Sequence, residues 1–434
     1  MFQSSTPTNS KYIHESPFAS RGFHNFDTSA QLPRHRWYYF KEGFSASLVE
    51  EAIVSAQENT KKNLRIFEPF SGSGTTPLVS SLLGHSCTAV EVNPFLAFVS
   101  SVKTFAGIWE RKLFLAQLEN IITFSGSEKI SQLENFSTFS EKEGLNKWLF
   151  NRDVLRKYES IMQSIGQLNS EVRDVFILAA IVSAFECSNA KRDGKGLRYK
   201  KDWKKRNYTG EDVIQSFKRH ALMMLEDNQN FPIQASNQAK IINADSRNAI
   251  VTDQVYEDID LVVTSPPYLN SFDYTDVYRP ELFLGGYVDN NQDLYSLRLN
   301  TLRSHVQANW PRQTQVECDL LKPILEKLKN VENLWNKNIP LMVEAYFDDL
   351  NSIITNVTPK LRSKGQVWIV VSTSAYGGVH IPVDLILAEL AHSAGLTLQG
   401  IHRLRDLRTS SQQSVQLKAA RHPLRESLII LSKP

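Results

Sequence analysis

The sequence contains little cysteine and no long apolar run. Its three cysteines, Cys87, Cys187 and Cys318, lie far apart in 434 residues and do not form the paired spacing of a zinc site or a redox couple. No run approaches the roughly 18 apolar residues that span a bilayer, and the first 25 residues lack the apolar core of a signal peptide. These absences predict a cytoplasmic protein with no metal site and no membrane segment.

The sequence also lacks a dominant charge of either sign. It has 49 Lys and Arg residues against 46 Asp and Glu residues, a formal net charge of +3. This balance neither demands nor excludes a nucleic acid partner, so local clusters of charge carry more information than the total. With 41% hydrophobic and 22% charged residues, the composition is that of an ordinary globular protein.

What the sequence does contain is an alternation of short apolar strands with amphipathic helices. The predicted strands are residues 64–68, 87–92, 240–244, 259–264, 367–372, 396–402 and 428–432, and the predicted helices are 77–83, one from Pro94, 341–357 and 382–393. This rhythm predicts an α/β fold with a mostly parallel, doubly wound sheet. We expect a flexible arm at 1–30, one α/β domain made of 31–108 and 236–434, and a mainly helical insertion at 109–235 with a buried helix at 172–185.

A glycine loop, Phe70-Ser71-Gly72-Ser73-Gly74-Thr75-Thr76, joins the first of these strands to a helix. Such a loop lets a ligand approach the backbone, and the helix start offers free amides. The third glycine of the dinucleotide fingerprint is missing, which argues against NAD. Glu91 and Asp245 end neighbouring predicted strands, where an acid can accept hydrogen bonds from ribose hydroxyls. A tight turn without a ligand, and a helix cap at Asp245, are the structural alternatives.

The second motif is Ser265-Pro266-Pro267-Tyr268, directly after a buried-type strand. The prolines fix the chain direction, so the Ser265 hydroxyl, the Pro266 carbonyl and the Tyr268 ring are held in one rigid arrangement. Two acceptors and a flat ring suit an amino group attached to a planar heterocycle. An ordinary strand end with a Pro-Pro turn is the structural alternative.

Together the two motifs resemble the amino-group DNA methyltransferases, which carry a Phe-x-Gly-x-Gly loop and a tetrapeptide of Asp, Asn or Ser followed by Pro-Pro-Tyr or Pro-Pro-Phe. The resemblance is clear over residues 37–101 and 240–278, and includes an aromatic segment before the glycine loop. It implies a Rossmann-like methyltransferase fold and S-adenosylmethionine as cofactor. The residues it places at the cofactor are Phe40, Glu68, Phe70, Gly72, Ser73, Gly74, Thr75, Glu91, Asn93 and Asp245. The residues it places at the target base are Ser265, Pro266, Pro267 and Tyr268.

The resemblance further implies site-specific methylation of an exocyclic amino group on a base flipped out of double-stranded DNA, in a restriction-modification or related system. Ser at the first tetrapeptide position favours cytosine-N4 in this family, and Asp favours adenine-N6. No cysteine stands in the Pro-Cys context that ring-carbon methyltransferases need for their thiolate. A cognate restriction endonuclease would be a partner. The alternatives are an adenine-N6 enzyme, an RNA base or protein glutamine methyltransferase, and a non-catalytic DNA-binding regulator.

One basic segment within the insertion is a candidate for DNA contact. Residues 191–206 carry nine Lys or Arg against two acids, interleaved with glycines and aromatics, which suits phosphate binding. A solvated loop is the alternative. The candidate residues are Lys191, Arg192, Lys195, Arg198, Lys200, Lys201, Lys204 and Lys205. The long insertion departs from the family pattern and leaves the site of target recognition open. Residues 270–286 and 298–312, which are polar and aromatic, could read bases or cover the active site.

Overall fold

A computed structural model describes residues 13–15, 23, 26–58, 63–126, 129–136, 138–193, 196–307, 316–407 and 424–434. Its strands are β1 (Ile13–Glu15), β2 (Arg65–Glu68), β3 (Ser86–Glu91), β4 (Ala190–Asp193), β5 (Gly196–Tyr199), β6 (Lys240–Asn243), β7 (Ile259–Thr264), β8 (Leu361–Ser372), β9 (Ser374–Tyr376), β10 (Val379–Ile381), β11 (Thr397–Asp406) and β12 (Arg425–Ser432). Its α-helices are α1 (Ala46–Gln57), α2 (Thr75–Leu82), α3 (Pro94–Lys103), α4 (Arg111–Phe124), α5 (Arg152–Gly166), α6 (Arg173–Glu186), α7 (Trp203–Arg206), α8 (Gly210–Asn230), α9 (Ser246–Ala249), α10 (Tyr274–Val277), α11 (Arg279–Leu284), α12 (Asn291–Asn300), α13 (Lys322–Lys329), α14 (Ile339–Lys360) and α15 (Val383–Ser393).

The centre of the structure is an eight-stranded sheet in the order β1-β11-β12-β8-β7-β2-β3-β6. Every neighbouring pair is parallel except the two pairs that β12 makes with β11 and β8. From β2 the chain builds outward through β3 to β6 on one side and through β7 and β8 on the other. The strand order therefore reverses at β2 and β7, where open α/β sheets bind ligands. The predicted Rossmann-like, mostly parallel sheet is confirmed.

Helices cover both faces of this sheet because the central strands are apolar on both sides. In β7, Leu261 and Val263 join one hydrophobic cluster with α1, whereas Val262 joins another with α14 and α15. All six residues of β7 are buried. A strand buried on both faces reads as a continuous apolar run rather than as an alternating one.

The predicted elements of this core agree closely with the structure. Strand β7 has the predicted bounds, and α2, α3 and β3 begin or end within two residues of prediction. Strand β8 begins at Leu361, six residues before the predicted strand at 367–372. The last two strands are also longer than predicted, because β11 and β12 continue to pair as far as Asp406 and Arg425. That pairing passes through polar residues, which the apolar pattern does not mark as strand.

The segment predicted as a flexible arm differs from the prediction where the structure describes it. Residues 13–15 form β1 and pair in parallel with β11, from Ile13 opposite Ile401 to Glu15 opposite Arg403. Phe23 is 1% exposed and belongs to the cluster around α1. The edge of β11 offers unpaired backbone groups, and this short strand satisfies them.

Residues 109–235 contain α4 to α8, as a mainly helical segment, but also the antiparallel hairpin β4–β5. The apolar sides of α4, α5, α6 and α8 share one hydrophobic cluster with α3 and with residues 272–294. The segment is therefore packed against the sheet domain through a common core.

Within the described residues, no helix is both long and apolar enough to cross a membrane. Cys87, Cys187 and Cys318 are buried and unbridged. Among the same residues, no group of three or more His, Cys, Asp or Glu side chains is arranged to hold a metal ion.

Candidate active site

A cavity of about 340 Å³ lies at the carboxyl edge of the sheet, where the strand order reverses. Residues that follow β2, β3, β6 and β7 all contribute to its lining. Carboxyl ends of parallel strands meet at one edge, so motifs that are far apart in sequence converge there. The volume lies within the range of small-molecule sites.

The glycine loop after β2 forms one wall and depends on its two glycines. Gly72 and Gly74 have φ values of +52° and +89°, which residues with a Cβ rarely adopt. A Cβ on Gly72 would lie 2.8 Å from the Phe40 ring, and one on Gly74 would lie 2.5 Å from Ser100 Oγ. The loop is therefore folded tightly against an aromatic ring on one side and a helix on the other.

Two buried carboxylates fix this loop by accepting hydrogen bonds from its backbone N–H groups. Glu91 accepts hydrogen bonds from the backbone N–H of Gly72 at 2.7 Å and of Asn93 at 2.8 Å. Glu68 accepts from the backbone N–H of Phe70 at 2.9 Å and from the hydroxyls of Thr264 and Thr76. Burial raises the pKa of each carboxyl to about 7, against the opposing effect of these hydrogen bonds.

Two polar atoms at this wall are buried without a hydrogen-bond partner among the described residues. They are the amide nitrogen Nδ2 of Asn93 and the hydroxyl of Ser73. The Asn93 oxygen caps α3 by accepting from Phe95 and Leu96, which directs the opposite end of the amide elsewhere. Asn93 and Glu91 both line the cavity. An unsatisfied buried donor beside a carboxylate fits a polar, nucleoside-containing ligand.

The aromatic segment before α1, residues 37–44, reaches the cavity through Phe40. Its ring lies 5.5 Å from the ring of Tyr278 and packs over Gly72. Asp227 on α8 anchors the start of the segment, because its carboxylate accepts from the side chains of Arg36 and Trp37 and from the backbone of Arg34. A residue of the helical insertion thus positions an aromatic wall of the cavity.

The segment Ser265 to Tyr268 forms the opposite wall, and all four of its residues line the cavity. Ser265 follows β7 directly and is half-buried. The Tyr268 hydroxyl donates to Glu426 Oε1 on β12 at 2.5 Å. The next carbonyl, of Leu269, accepts from the hydroxyls of Ser374 and Tyr376. Tertiary hydrogen bonds therefore fix this wall beyond what the two prolines do.

Further lining comes from both downstream segments that the sequence marked as polar and aromatic. Ser271 donates its backbone N–H to the carbonyl of Ser304, which ties the two segments together. Burial lowers the pKa of His305 to about 4, so its ring is neutral at ordinary pH. The lining residues from these segments are Asn270, Phe272, Tyr274, Thr275, Asn300, Thr301, Leu302, Ser304 and His305.

Comparison with known proteins finds relatives along nearly the whole chain. It is 26% identical to the type II methyltransferase M.AvaI of Nostoc sp., over 97% of this chain and 90% of that protein. It is 24% identical to M.BsoBI of Geobacillus stearothermophilus (98% and 91%) and 22% identical to M.MvaI of Kocuria varians (85% and 83%), both also type II methyltransferases. These relatives, matched over most of the chain, support a DNA methyltransferase family. The methyltransferase therefore uses S-adenosylmethionine as its methyl donor.

No protein-family model matches the methyltransferase. Among solved structures, the rRNA methyltransferase AviRa of Streptomyces viridochromogenes aligns with a TM-score of 0.28 at 9% identity, over 90% of this chain and 85% of that one. A likeness at that level supports no argument about the fold or the substrate.

The structure brings together most of the residues expected at the cofactor of the methyltransferase. Phe40, Phe70, Gly72, Glu91, Asn93 and Asp245 line the cavity, together with the tetrapeptide. The others expected there, Glu68, Ser73, Gly74 and Thr75, are buried within or beneath the glycine loop. Asp245 also caps α9 and forms an ion pair with Arg247 at 2.6 Å. The alternative prediction of a helix cap at Asp245 is therefore confirmed, in addition to its position at the cavity.

The basic residues expected at DNA do not form one uniform surface. Lys191, Arg198, Lys201, Lys204 and Lys205 are exposed. Lys195 lies outside the described residues. The other two are engaged within the protein. Arg192 is ion-paired with buried Glu281 and stacks over Tyr278, and Lys200 donates to the carbonyl oxygens of Glu186 and Ser188. These internal contacts leave Arg192 and Lys200 poorly placed for phosphate.

No pattern in the sequence singles out Glu426 or the acids Glu281 and Asp227. None of the three lies in a motif, and each is 1% exposed or less. Only the partners that the fold supplies, Tyr268 for Glu426 and Arg192 for Glu281, distinguish them from solvated charges.

Proposed function

We propose that the protein is a site-specific DNA methyltransferase that methylates the exocyclic N4 of cytosine in a restriction-modification system. The observation that carries the proposal is a single cavity lined by both motifs. Gly72, Glu91 and Asn93 lie on one wall, and Ser265 to Tyr268 on the other. A cofactor on the first wall and a base on the second would share that space, as methyl transfer requires.

S-adenosylmethionine, when bound, supplies a methyl group on a sulfonium sulfur that departs with the electron pair of the broken bond. In this proposal Glu91 accepts hydrogen bonds from ribose hydroxyls, and support comes from the buried Asn93 amide nitrogen beside it, which has no hydrogen-bond partner among the described residues. Phe40 encloses the cavity from the side of the glycine loop. These residues bind and orient the cofactor; they transfer no proton.

On the base side, the Ser265 hydroxyl and the Pro266 carbonyl accept the two N–H bonds of the amino group. Engaging both hydrogens makes the nitrogen more tetrahedral and directs its lone pair toward the methyl group. Tyr268 provides a ring on which a flipped base stacks. Ser at the first tetrapeptide position, where this family uses Asp mostly for adenine, supports cytosine as the target.

We place the phosphate contacts on the exposed lysines and arginine of the hairpin β4–β5 and of the segment that follows it, Lys191, Arg198, Lys201, Lys204 and Lys205. Aromatic rings lie among them, with Lys204 over Trp203 at 5.6 Å. Cations interleaved with rings suit a nucleic acid surface. The names of M.AvaI, M.BsoBI and M.MvaI as type II methyltransferases support a restriction-modification setting and a cognate endonuclease.

The test is to incubate the purified protein with methyl-labelled S-adenosylmethionine and mixed plasmid DNA, digest to nucleosides and identify the product by mass spectrometry. We expect labelled N4-methylcytosine within one short recurring sequence. N6-methyladenine would retain the enzyme class and overturn the base. Label in RNA or protein but not in DNA would overturn the substrate, and no label at all would favour a non-catalytic regulator.

A further inference from the structure

A chain of hydroxyl and carboxyl groups leads from the base side of the cavity to a buried acid. The Ser265 side chain interacts with the Tyr268 hydroxyl closely enough to lower the pKa of the phenol, against the larger effects of burial and Glu426. The Tyr268 hydroxyl donates to Glu426 Oε1 at 2.5 Å, and the other carboxylate oxygen accepts from Arg405 Nε at 2.7 Å. Glu426 is 1% exposed, whereas the Arg405 side chain is 43% exposed. The chain thus runs from the amino-group acceptor, through a phenol, to an acid beside a solvent-exposed cation.

Methylation of an amino group, on which this inference rests, requires a proton acceptor. The nitrogen forms a bond to the methyl carbon with its lone pair and becomes positively charged. One N–H bond must then break, with its electron pair remaining on nitrogen, so that a proton leaves. The Ser265 hydroxyl is too weak a base to keep that proton, but it can pass one on because it is both donor and acceptor.

We propose that Glu426 receives the proton released by the methylated amino group, by way of Ser265 and Tyr268. Ser265 Oγ takes the proton from nitrogen and gives its own to Tyr268 Oη, which gives its own to Glu426 Oε1. Ser265 and Tyr268 end as they began, and Glu426 ends neutral. No further reactant is needed, and the carboxyl later releases the proton to bulk solvent, beside the exposed Arg405 side chain.

The surroundings of Glu426 suit an acceptor. The titratable and charged groups in contact with it are Tyr268, from the loop after β7, and Arg405 on β11. Its cross-strand partner on β8 is uncharged Ser372. Burial raises the pKa of Glu426, while Arg405 opposes the rise. The pKa of Tyr268 is held well above its ordinary value by burial and by Glu426, so the phenol remains neutral and relays protons without holding charge.

A second phenol, that of Tyr274, lies close to Tyr268, and its pKa is also raised by burial. It therefore offers no competing acceptor at neutral pH. The Pro266 carbonyl, which takes the second N–H of the amino group, has no proton to pass on. Only the Ser265 side of the amino group continues to a carboxylate.

The experiment compares single-turnover methylation by the full chain, preloaded with S-adenosylmethionine, between about pH 5.5 and pH 9 on plasmid DNA. The variants are Glu426→Gln and Tyr268→Phe, alone and combined. Each is expected to slow transfer about 100-fold, a typical contribution of proton transfer, and the pair to be no slower than either alone. The wild-type rate should fall at acid pH. The part of this fall that comes from protonation of Glu426 should be missing in Glu426→Gln, whereas a part that comes from Glu68 and Glu91, whose pKa is about 7, should remain.

Asp406→Asn is the matched control, because it removes the same charge from the end of β11 but is paired with Arg403 rather than with Tyr268. It should retain the wild-type rate and acid limb. A role of Glu426 limited to holding the ring would leave Glu426→Gln near the wild-type rate, since the amide oxygen still accepts from Tyr268. That result, or an unchanged acid limb in both variants, would overturn the relay.

The outcomes separate the relay from the proposed function. If the wild-type protein labels an amino group and the variants react at the wild-type rate, the relay alone is overturned. If the wild-type protein labels no amino group, both the relay and the proposed function are overturned. Cofactor and DNA affinities within about threefold of wild type would show that the variants are folded. If Glu426→Gln fails that check, the rate and pH profile of Tyr268→Phe decide the matter.

Discussion

The two walls of the cavity are built in different ways. We call the wall formed by the glycine loop, Glu91 and Asn93 the cofactor wall, and the wall formed by residues 265–268 the base wall, after their proposed ligands. On the cofactor wall, backbone N–H groups of the glycine loop donate to carboxylates of nearby strand ends, as Gly72 does to Glu91, 19 residues away. On the base wall, Tyr268 is held by Glu426, 158 residues away, and Leu269 by Ser374, 105 residues away. The backbone contacts of the glycine loop are local in sequence, although Glu68 also accepts from Thr264, 196 residues away. The second wall depends on strands added at the end of the chain. Perturbations should therefore separate cofactor binding from transfer.

The largest expected effect tests that separation at the base wall. Ser265→Ala combined with Tyr268→Ala should reduce methyl transfer about 1,000-fold, because in the proposed arrangement the amino group loses an acceptor and its stacking ring. Affinity for S-adenosylmethionine should stay within about threefold, as measured by calorimetry. Ser363→Ala, at an exposed serine on β8, is the control. An equal loss of cofactor affinity would contradict the division into two walls.

The next effect concerns the buried charge of the cofactor wall. Burial raises the pKa of Glu68 from 4.5 to about 7 in the folded protein. The stability that protonation contributes is complete below about pH 4.5 and is lost as the pH rises through about 7. Relative to wild type, Glu68→Gln should therefore gain up to about 3 kcal/mol in free energy of unfolding between pH 4.5 and pH 8.

Urea unfolding at both pH values measures this difference. The amide can retain the contacts, because its oxygen can accept from Phe70 and Thr264 while the Thr76 hydroxyl turns to the carbonyl of Val263, 3.4 Å away. A difference that does not vary with pH would mean that Glu68 titrates normally.

A smaller effect is expected at the backbone of the same wall. Gly74→Ala combines a strained φ with a Cβ 2.5 Å from Ser100 Oγ and 3.0 Å from Ser100 Cα. It should weaken S-adenosylmethionine binding by about 10-fold or more, because the loop must move. The strained φ should also lower the free energy of unfolding by about 1–2 kcal/mol. Gly84→Ala is the matched control, since Gly84 has φ of +84° but its nearest neighbour would be 3.7 Å away. Equal cofactor affinity in the two variants would assign the whole effect to strain.

The smallest effect extends the comparison from the base wall to the DNA surface. Replacing Lys201, Lys204 and Lys205 with Gln should weaken DNA binding about 10-fold. The slope of the logarithm of the binding constant against the logarithm of the salt concentration should become shallower by about one for each phosphate that the variant no longer binds. Titrations at several salt concentrations measure both. Lys200→Gln is the control, because the Lys200 amine is bonded to two carbonyl oxygens of the protein. A salt dependence unchanged in the triple variant would remove this surface from the proposal.

Much of the fold could be predicted because its signals are local. Strand β7 is predicted at its observed bounds because an apolar run ends in two prolines, which terminate pairing. The glycine loop and Asn93 are recognisable because a turn with positive φ and a helix cap each require particular residue types within a few positions. The hairpin β4–β5 and the pairing of β1 escape prediction, since short polar strands depend on their partners.

The sequence by itself determined the two motifs, the strands that end in them and, from these, the class of cofactor and chemistry. Only the tertiary structure decided which distant groups complete the site. It paired Tyr268 with Glu426, Phe40 with the glycine loop, and Arg192 with Glu281. The reason is physical. Backbone conformation is governed by neighbours along the chain, whereas a hydrogen bond or ion pair between remote residues exists only after the sheet order has brought their strands together.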